Sequence, residues 1–190
     1  MTEKELIIRL KAHEAGAFRE LVETWQGLVY NTVLGILTNS EDAEDVSQEV
    51  FVQVYESIGN FKGASKLSTW LYRIAVTKSM DHLRRKRRKK RFAFVESLFN
   101  QQDQLVHDPG HFNHPGVQLE NKEAAADLFK AIEQLPISQK TAFVLSKIEG
   151  LSYQEISEVM NITVSAADSL LHRARVKVKK YLEKYYEGQL

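Results

Sequence analysis

Gly150-Leu-Ser-Tyr-Gln-Glu-Ile-Ser-Glu-Val-Met-Asn-Ile-Thr-Val-Ser-Ala-Ala-Asp-Ser-Leu-Leu-His-Arg-Ala-Arg175 is the stretch on which the fold turns. It reads as two short helices joined by a tight turn. Ser152-Tyr-Gln-Glu155 matches a capping box, in which a serine oxygen and a glutamate each accept from the other residue's amide, and this fixes where the first helix starts. Ile156 and Val159 face inward on that helix, and Asn161 suits the positive φ that a sharp turn demands. The next helix is counted from Val164 at about 100° per residue. Ala167, Leu171, Ala174, Val178 and Leu182 then share one arc. Ser165, Ser169, His172, Arg173, Val176 and Lys180 lie opposite, with Lys177 beside them. An apolar stripe behind a polar, basic face is the layout of a helix that enters the major groove of DNA, where Arg173 can reach guanine or phosphate. A solvated helix closing a bundle shares that periodicity; the capped short helix, the Asn turn and the basic exit favour DNA.

Working outward, helical spacing continues upstream over 138–148 and over 120–135, the latter ending at Pro136. Before that, 92–119 holds Gln101-Gln102, Pro109-Gly110 and Pro115-Gly116 without a sustained period. Pro-Gly pairs favour turns, so this stretch is expected to be a flexible linker. A single continuous helical domain is the alternative, and an aperiodic run of this length counts against it. Upstream of the linker the pattern is helical again. Leu6, Ile7 and Leu10 open a short helix, and apolar residues from Phe18 to Leu37 recur at helical spacing. Asn39 and Ser40 offer N-caps for a third helix that Gly59 and Gly63 end, and a fourth runs from about 67 through the basic run 84–91. The expected architecture is all-α: two small helical domains, 1–91 and 120–190, joined by the linker, with a helix-turn-helix in the second.

Composition narrows the chemistry. The 190 residues are 43% hydrophobic, enough for real cores, and contain no cysteine, which rules out disulfides, thiolate zinc and a cysteine nucleophile. No apolar run nears the roughly 20 residues that span a bilayer, and the acidic start lacks a signal-peptide core, so a soluble, cytoplasmic protein is expected. The net charge of +1 hides segregation: −4 over 1–83, +8 over 84–91, −4 over 92–123 and +1 over 124–190. Glycine loops for phosphate, nucleophile elbows and zinc-protease helices are lacking, so no enzyme is expected. His107, His111 and His114 sit in the linker with only Asp108 nearby, a poor metal set, and neither metal nor cofactor is expected.

The third helix carries two faces. Val46, Val50, Phe51, Val54 and Ile58 form a core arc. Glu41, Asp42, Asp45, Gln48, Glu49, Val52 and Glu56 share the other. An acidic solvent face is common. Here, however, Glu41, Asp45 and Glu49 form an i, i+4 ladder of like charge, which weakens a helix slightly, with Val52 exposed among them; a basic protein partner would relieve both. The next segment, Phe61-Lys-Gly-Ala-Ser-Lys-Leu-Ser-Thr-Trp-Leu-Tyr-Arg73, mixes aromatics and cations around a loop, the means by which unpaired bases are held. Phe61 and Trp70 can equally be core, which leaves the loop at 62–68 as the better base contact. The dense run 84–91 is suited to neutralising phosphates, with steep salt dependence; a disordered tail is its bland alternative.

Taken together, Asp42-Ala-Glu-Asp-Val-Ser-Gln-Glu-Val-Phe51, Ser68-Thr-Trp-Leu-Tyr-Arg-Ile-Ala75, Gly150-Leu-Ser-Tyr-Gln-Glu-Ile156 and Leu171-His-Arg-Ala-Arg175 resemble the extracytoplasmic-function (ECF) sigma factors of bacterial RNA polymerase. The likeness spans nearly the whole chain outside the linker. It implies that Asp45, Gln48, Glu49 and Val52 dock on the polymerase clamp helices. It implies that Phe61, Lys62, Ser65, Lys66, Trp70, Tyr72, Arg73, Thr77, Arg84, Arg85, Arg87 and Arg88 capture and melt the −10 promoter element. Ser165, Ser169, His172, Arg173 and Lys177 would then read the −35 element, the linker would thread toward the polymerase active site, and an anti-sigma factor would be a further partner. The family often has Asn at Thr77, a basic residue at Asp168 and Arg at Leu170, departures that touch the promoter sequence read, not the class. The competing reading is a stand-alone helix-turn-helix regulator acting as a dimer, which a pull-down with core polymerase separates.

Overall fold

Several helices begin or end where the chain supplies a partner for their free backbone groups. In this computed structural model, residues 2–99 and 122–187 are described, with side chains over 2–89 and 127–184. All regular structure among them is helical. Helix α1 (Glu3–Lys11) starts in a capping box between Thr2 and Glu5. Helix α2 (Ala15–Leu37) stops where Thr38 turns left-handed at φ 59° and its amide returns to the Leu34 carbonyl. Helix α3 (Ser40–Ser57) is capped by Asn39, whose Oδ1 accepts the Asp42 amide at 2.8 Å, as its sequence suggests. A short 3₁₀ turn (Ile58–Asn60) follows.

Helix α4 (Leu67–Phe99) begins under a carboxylate from far away: Glu3 Oε1 accepts the Leu67 amide at 3.1 Å. A negative group there suits the positive end of the helix. At its other end α4 runs to Phe99, eight residues into the stretch expected to be linker. No proline or glycine interrupts 92–99, and extending an existing helix is far easier than nucleating one. The three linker histidines and both Pro-Gly pairs fall outside the described residues.

Helices α5 (Lys122–Glu133), α6 (Ile137–Lys147), α7 (Tyr153–Met160) and α8 (Val164–Glu187) form the second unit. Pro136 separates α5 from α6, and Gly150 (φ 71°) permits the turn between α6 and α7.

The first unit packs α2, α3 and α4 around Leu21, Val29, Val33, Val46, Val50, Leu67 and Leu71, all sealed from solvent. Each such burial contributes about 1.5–3 kcal/mol. The second closes over Ile132, Leu145, Ile156, Ala167, Leu171 and Ala174. One buried cluster runs through both, because α6 lies on α2 and α7 lies on α4. Gly35 of α2 permits a close approach: a Cβ there would sit 2.7 Å from Cγ1 and 3.2 Å from Cγ2 of Val144 in α6.

Candidate nucleic-acid interface

The helix-turn-helix is built as its sequence specifies. Ser152 Oγ accepts the Glu155 amide at 3.3 Å, and Glu155 Oε2 accepts the Ser152 amide at 3.0 Å and its hydroxyl at 2.8 Å. The Ser152 amide and hydroxyl hold the Glu155 carboxyl below its ordinary value. Asn161 closes α7 in the left-handed region at φ 53°, ψ 51°. Thr163, which the sequence pattern left unnoticed, caps α8 by accepting the Ala166 amide at 3.1 Å.

The stripe of α8 divides as its periodicity requires. Ala167, Leu171 and Ala174 are fully buried, whereas Ser165, Ser169, His172, Arg173, Val176 and Lys177 are exposed. Leu170 is half-buried against the core. Arg173 Nε donates to the Ser169 carbonyl at 3.0 Å, so its guanidinium lies along the outward face. Arg175 Nη2 donates to the Tyr153 hydroxyl at 2.8 Å and braces α8 against α7.

On α3, Asp45 and Gln48 are open to solvent, Glu49 is half-buried and Val52 is 57% exposed. Tyr55 lies three residues after Val52 on the same helix, its ring edge-on to Phe18 and His13. Two carboxylates of this acidic face, Glu49 of the ladder and Asp42 beside it, meet cations of the same chain. Arg85 Nη2 reaches Glu49 Oε2 at 3.3 Å, and Lys86 Nζ bonds Asp42. His82 Nε2 also lies 3.2 Å from Asp42 Oδ1, within ion-pair reach but out of line for a hydrogen bond. The basic run thus folds back along the acidic face, a pairing across 36 to 44 residues that local periodicity cannot reveal.

The residues expected to contact the −10 element separate into three groups. Lys62, Lys66, Arg73, Thr77, Arg84, Arg85, Arg87 and Arg88 are exposed, and Ser65 is intermediate. Phe61 is buried and packs on the half-buried Trp70, ring centres 5.1 Å apart, so Phe61 is part of the core here. Tyr72 is buried as well, against the second unit: its hydroxyl donates to Glu149 Oε2 at 2.9 Å. Its neighbour Arg73 donates from Nη2 to the Glu158 carbonyl at 2.8 Å, and Lys66 Nζ lies 3.8 Å from Glu155 Oε1. Burial pushes the Glu149 carboxyl up, the Tyr72 bond opposing it, and burial beside Glu149 raises the Tyr72 phenol. Burial also pulls Lys140 of α6 down. Among the described residues no cluster of histidine and acidic side chains could hold a metal ion, and no helix is long and apolar enough to cross a membrane.

Comparison with known proteins gives these surfaces a context. Residues 21–89 match Sigma-70 region 2 and residues 125–178 match Sigma-70, region 4. The chain is 32% identical over 184 residues to the RNA polymerase sigma-H factor of Pseudomonas aeruginosa, covering 95% of this chain and 94% of that one. It is 33% identical over 187 residues to the ECF RNA polymerase sigma factor SigW of Bacillus subtilis, covering 94% and 96%. Among solved structures it superposes on CnrH, determined in complex with the cytosolic domain of CnrY, with a TM-score of 0.67, 19% identity and coverage of 96% and 97%. It superposes on the sigma factor RpoE of Bartonella quintana, determined with the anti-sigma factor NepR, with a TM-score of 0.62, 19% identity and coverage of 87% and 96%. The likeness to these two structures is one of fold.

Proposed function

The chain belongs to the extracytoplasmic-function sigma factors, and from that premise we propose how its surfaces divide the work of starting transcription. It is an alternative sigma factor, directing transcription initiation together with core RNA polymerase and promoter DNA. In this reading residues 1–91 dock on the polymerase and open the −10 element, 92–119 connect, and 120–190 read the −35 element. Asp45, Gln48, Glu49 and Val52 form the docking face. Lys62, Ser65, Lys66, Trp70, Tyr72, Arg73 and Thr77 hold the unpaired strand, with Arg84, Arg85, Arg87 and Arg88 on the phosphates. Bond making is left to the polymerase; the sigma factor positions DNA. An anti-sigma factor completes the proposed partners, as Bartonella RpoE has one.

The observation that carries this reading is the division of α8. Three fully buried small or apolar positions anchor it, and five polar positions, Ser165, Ser169, His172, Arg173 and Lys177, stand clear on the opposite side. A helix held by one stripe and presented by the other can enter a major groove without unfolding. The stand-alone dimeric regulator is not favoured, because the α3 face and the loop before α4 have no role in it. Run-off transcription with sigma-free core polymerase on fragments of native DNA tests the proposal. Specific transcripts that depend on the added protein are expected; none on any native template would overturn it.

A further inference from the structure

The loop assigned to strand capture, 62–66, is held at its two ends. At the first end Phe61 is buried, its amide donates to the Ile58 carbonyl at 3.0 Å, and its ring packs on Trp70. Between the ends Lys62 and Ala64 are exposed. Gly63 turns left-handed at φ 70°, with nothing within 4 Å of where a Cβ would stand. The loop stands clear of the fold there, so its anchors set its shape. The second anchor is at Leu67, the first residue of α4. The Lys66 carbonyl accepts the Trp70 amide at 3.2 Å, but a lysine side chain has no acceptor for the free amides of the first turn. Its ammonium lies instead 3.8 Å from Glu155. The missing acceptor comes from α1, where Glu3 Oε1 takes the Leu67 amide at 3.1 Å.

We propose that Glu3 is a positioning residue for −10 strand capture: by bonding the Leu67 amide it fixes the far end of the 62–66 loop in the shape that receives the unpaired strand. The inference rests on assigning that loop to the strand, as proposed above.

Helix α1 is seated for this task. Thr2 and Glu5 lock its first turn in a capping box, so Glu3 projects from a fixed backbone. Leu6 and Leu10 are buried, and α1 lies against the 3₁₀ turn that leads into the loop. Arg9 Nη1 reaches Glu20 Oε2 at 3.1 Å and ties α1 to α2. The carboxylate and both ends of the loop thus share one packed seat. A charged acceptor on a first-turn amide also gains from the helix dipole. Glu3 acts through Leu67.

The test separates the loop from the strand. Glu3→Ala deletes the acceptor at an exposed position where alanine is a good helix former. Glu3→Gln keeps an acceptor without the charge. Hydrogen exchange read by mass spectrometry over 61–70 reports on the loop in the full chain. Exchange there is expected to quicken about fivefold in Glu3→Ala, the effect of losing a typical cap, and to return most of the way in Glu3→Gln. Holoenzyme made with each variant is then titrated with a native promoter fragment, found by run-off transcription, whose −10 segment is mismatched so that the strand is already unpaired. Glu3→Ala is expected to bind it about fivefold more weakly, and Glu3→Gln nearly as well as wild type. Competition for core polymerase and binding of the −35 duplex should be unchanged in both, whereas a general loss of fold would weaken all three. In a Lys62→Ala, Ser65→Ala background Glu3→Ala should cost nothing further, because its route to the strand is gone. Unchanged exchange over 61–70 overturns the positioning role. Quickened exchange with unchanged binding of the mismatched fragment overturns the link to capture, as does an undiminished effect of Glu3→Ala in the double-alanine background. The strand assignment fails separately if Lys62→Ala with Ser65→Ala binds the mismatched fragment as wild type does; that removes the premise and the proposal with it, while the exchange result stands.

Discussion

Reversing Glu49 to lysine separates docking from folding, and the geometry sets both magnitudes. Glu49 and Arg85 meet at 3.3 Å with side chains 43% and 48% exposed. Such a solvent-screened pair contributes about 0–1 kcal/mol. Reversal loses that and adds a repulsion of similar size. It also removes the i, i+4 conflict with Asp45, returning about 0.2–0.5 kcal/mol. The net cost is therefore on the order of 1 kcal/mol, against roughly 5–15 kcal/mol for a typical domain. The melting temperature should fall by about 2–4 °C and the protein should stay folded. Docking is a different matter, since a charge pair desolvated at an interface costs about 2–5 kcal/mol or more when broken. Competition against labelled wild-type protein for core polymerase should show Glu49→Lys weaker by at least about 30-fold. Arg85→Ala provides the control: it frees Glu49 from its internal partner and should compete as well as wild type or better. Equal competition by Glu49→Lys and wild type, with both folded, would remove this face from the docking surface.

Three further outcomes follow from the same geometry. Arg173→Ala should weaken −35 duplex binding by about 1–3 kcal/mol if its guanidinium leaves the Ser169 carbonyl for a guanine edge, and unchanged anisotropy on that duplex would deny it the role. Asn161→Val should cost about 1–2 kcal/mol of thermal stability, because a β-branched residue resists the φ of 53° held there; Asn161→Gly should cost little, and equal losses for the two would mean the turn conformation is not what Asn161 supplies. Stability should also depend on pH. Burial raises the Glu149 carboxyl in the folded chain, so its contribution is fully present below the ordinary 4.5 and is lost as pH rises through the raised value. Through this group the melting temperature should therefore gain on mild acidification. Glu149→Gln, which keeps an acceptor for the Tyr72 hydroxyl, should flatten that change, and a profile identical to wild type would place the titration elsewhere.

The sequence carried the local layer almost whole, for a physical reason. Caps, turns and buried stripes depend on residues within about one or two helical turns. Hence Ser152 with Glu155, Asn39 with Asp42, the left-handed Asn161 and the split of α8 were all legible before any coordinates. So was the two-faced character of α3. Where α4 ends was less legible: an aperiodic stretch with two Pro-Gly pairs looks like a linker, yet nothing in 92–99 stops a helix already under way. Phe61 and Trp70 were ambiguous because an aromatic that stacks on bases and one that fills a core have the same composition, and burial alone places Phe61 in the core.

What the amino-acid order determined by itself was therefore the set of helices, which stripe each one buries, and the family whose motifs they carry. What only tertiary structure decided was who meets whom across the chain: Glu3 on the start of α4, Arg85 and Lys86 along the acidic face of α3, Gly35 beneath Val144, and Tyr72 against Glu149. These pairs lie 36 to 109 residues apart, as read from their numbers. No periodicity reaches that far; such contacts exist because burying two apolar stripes brings particular polar neighbours together, and that geometry is set by packing.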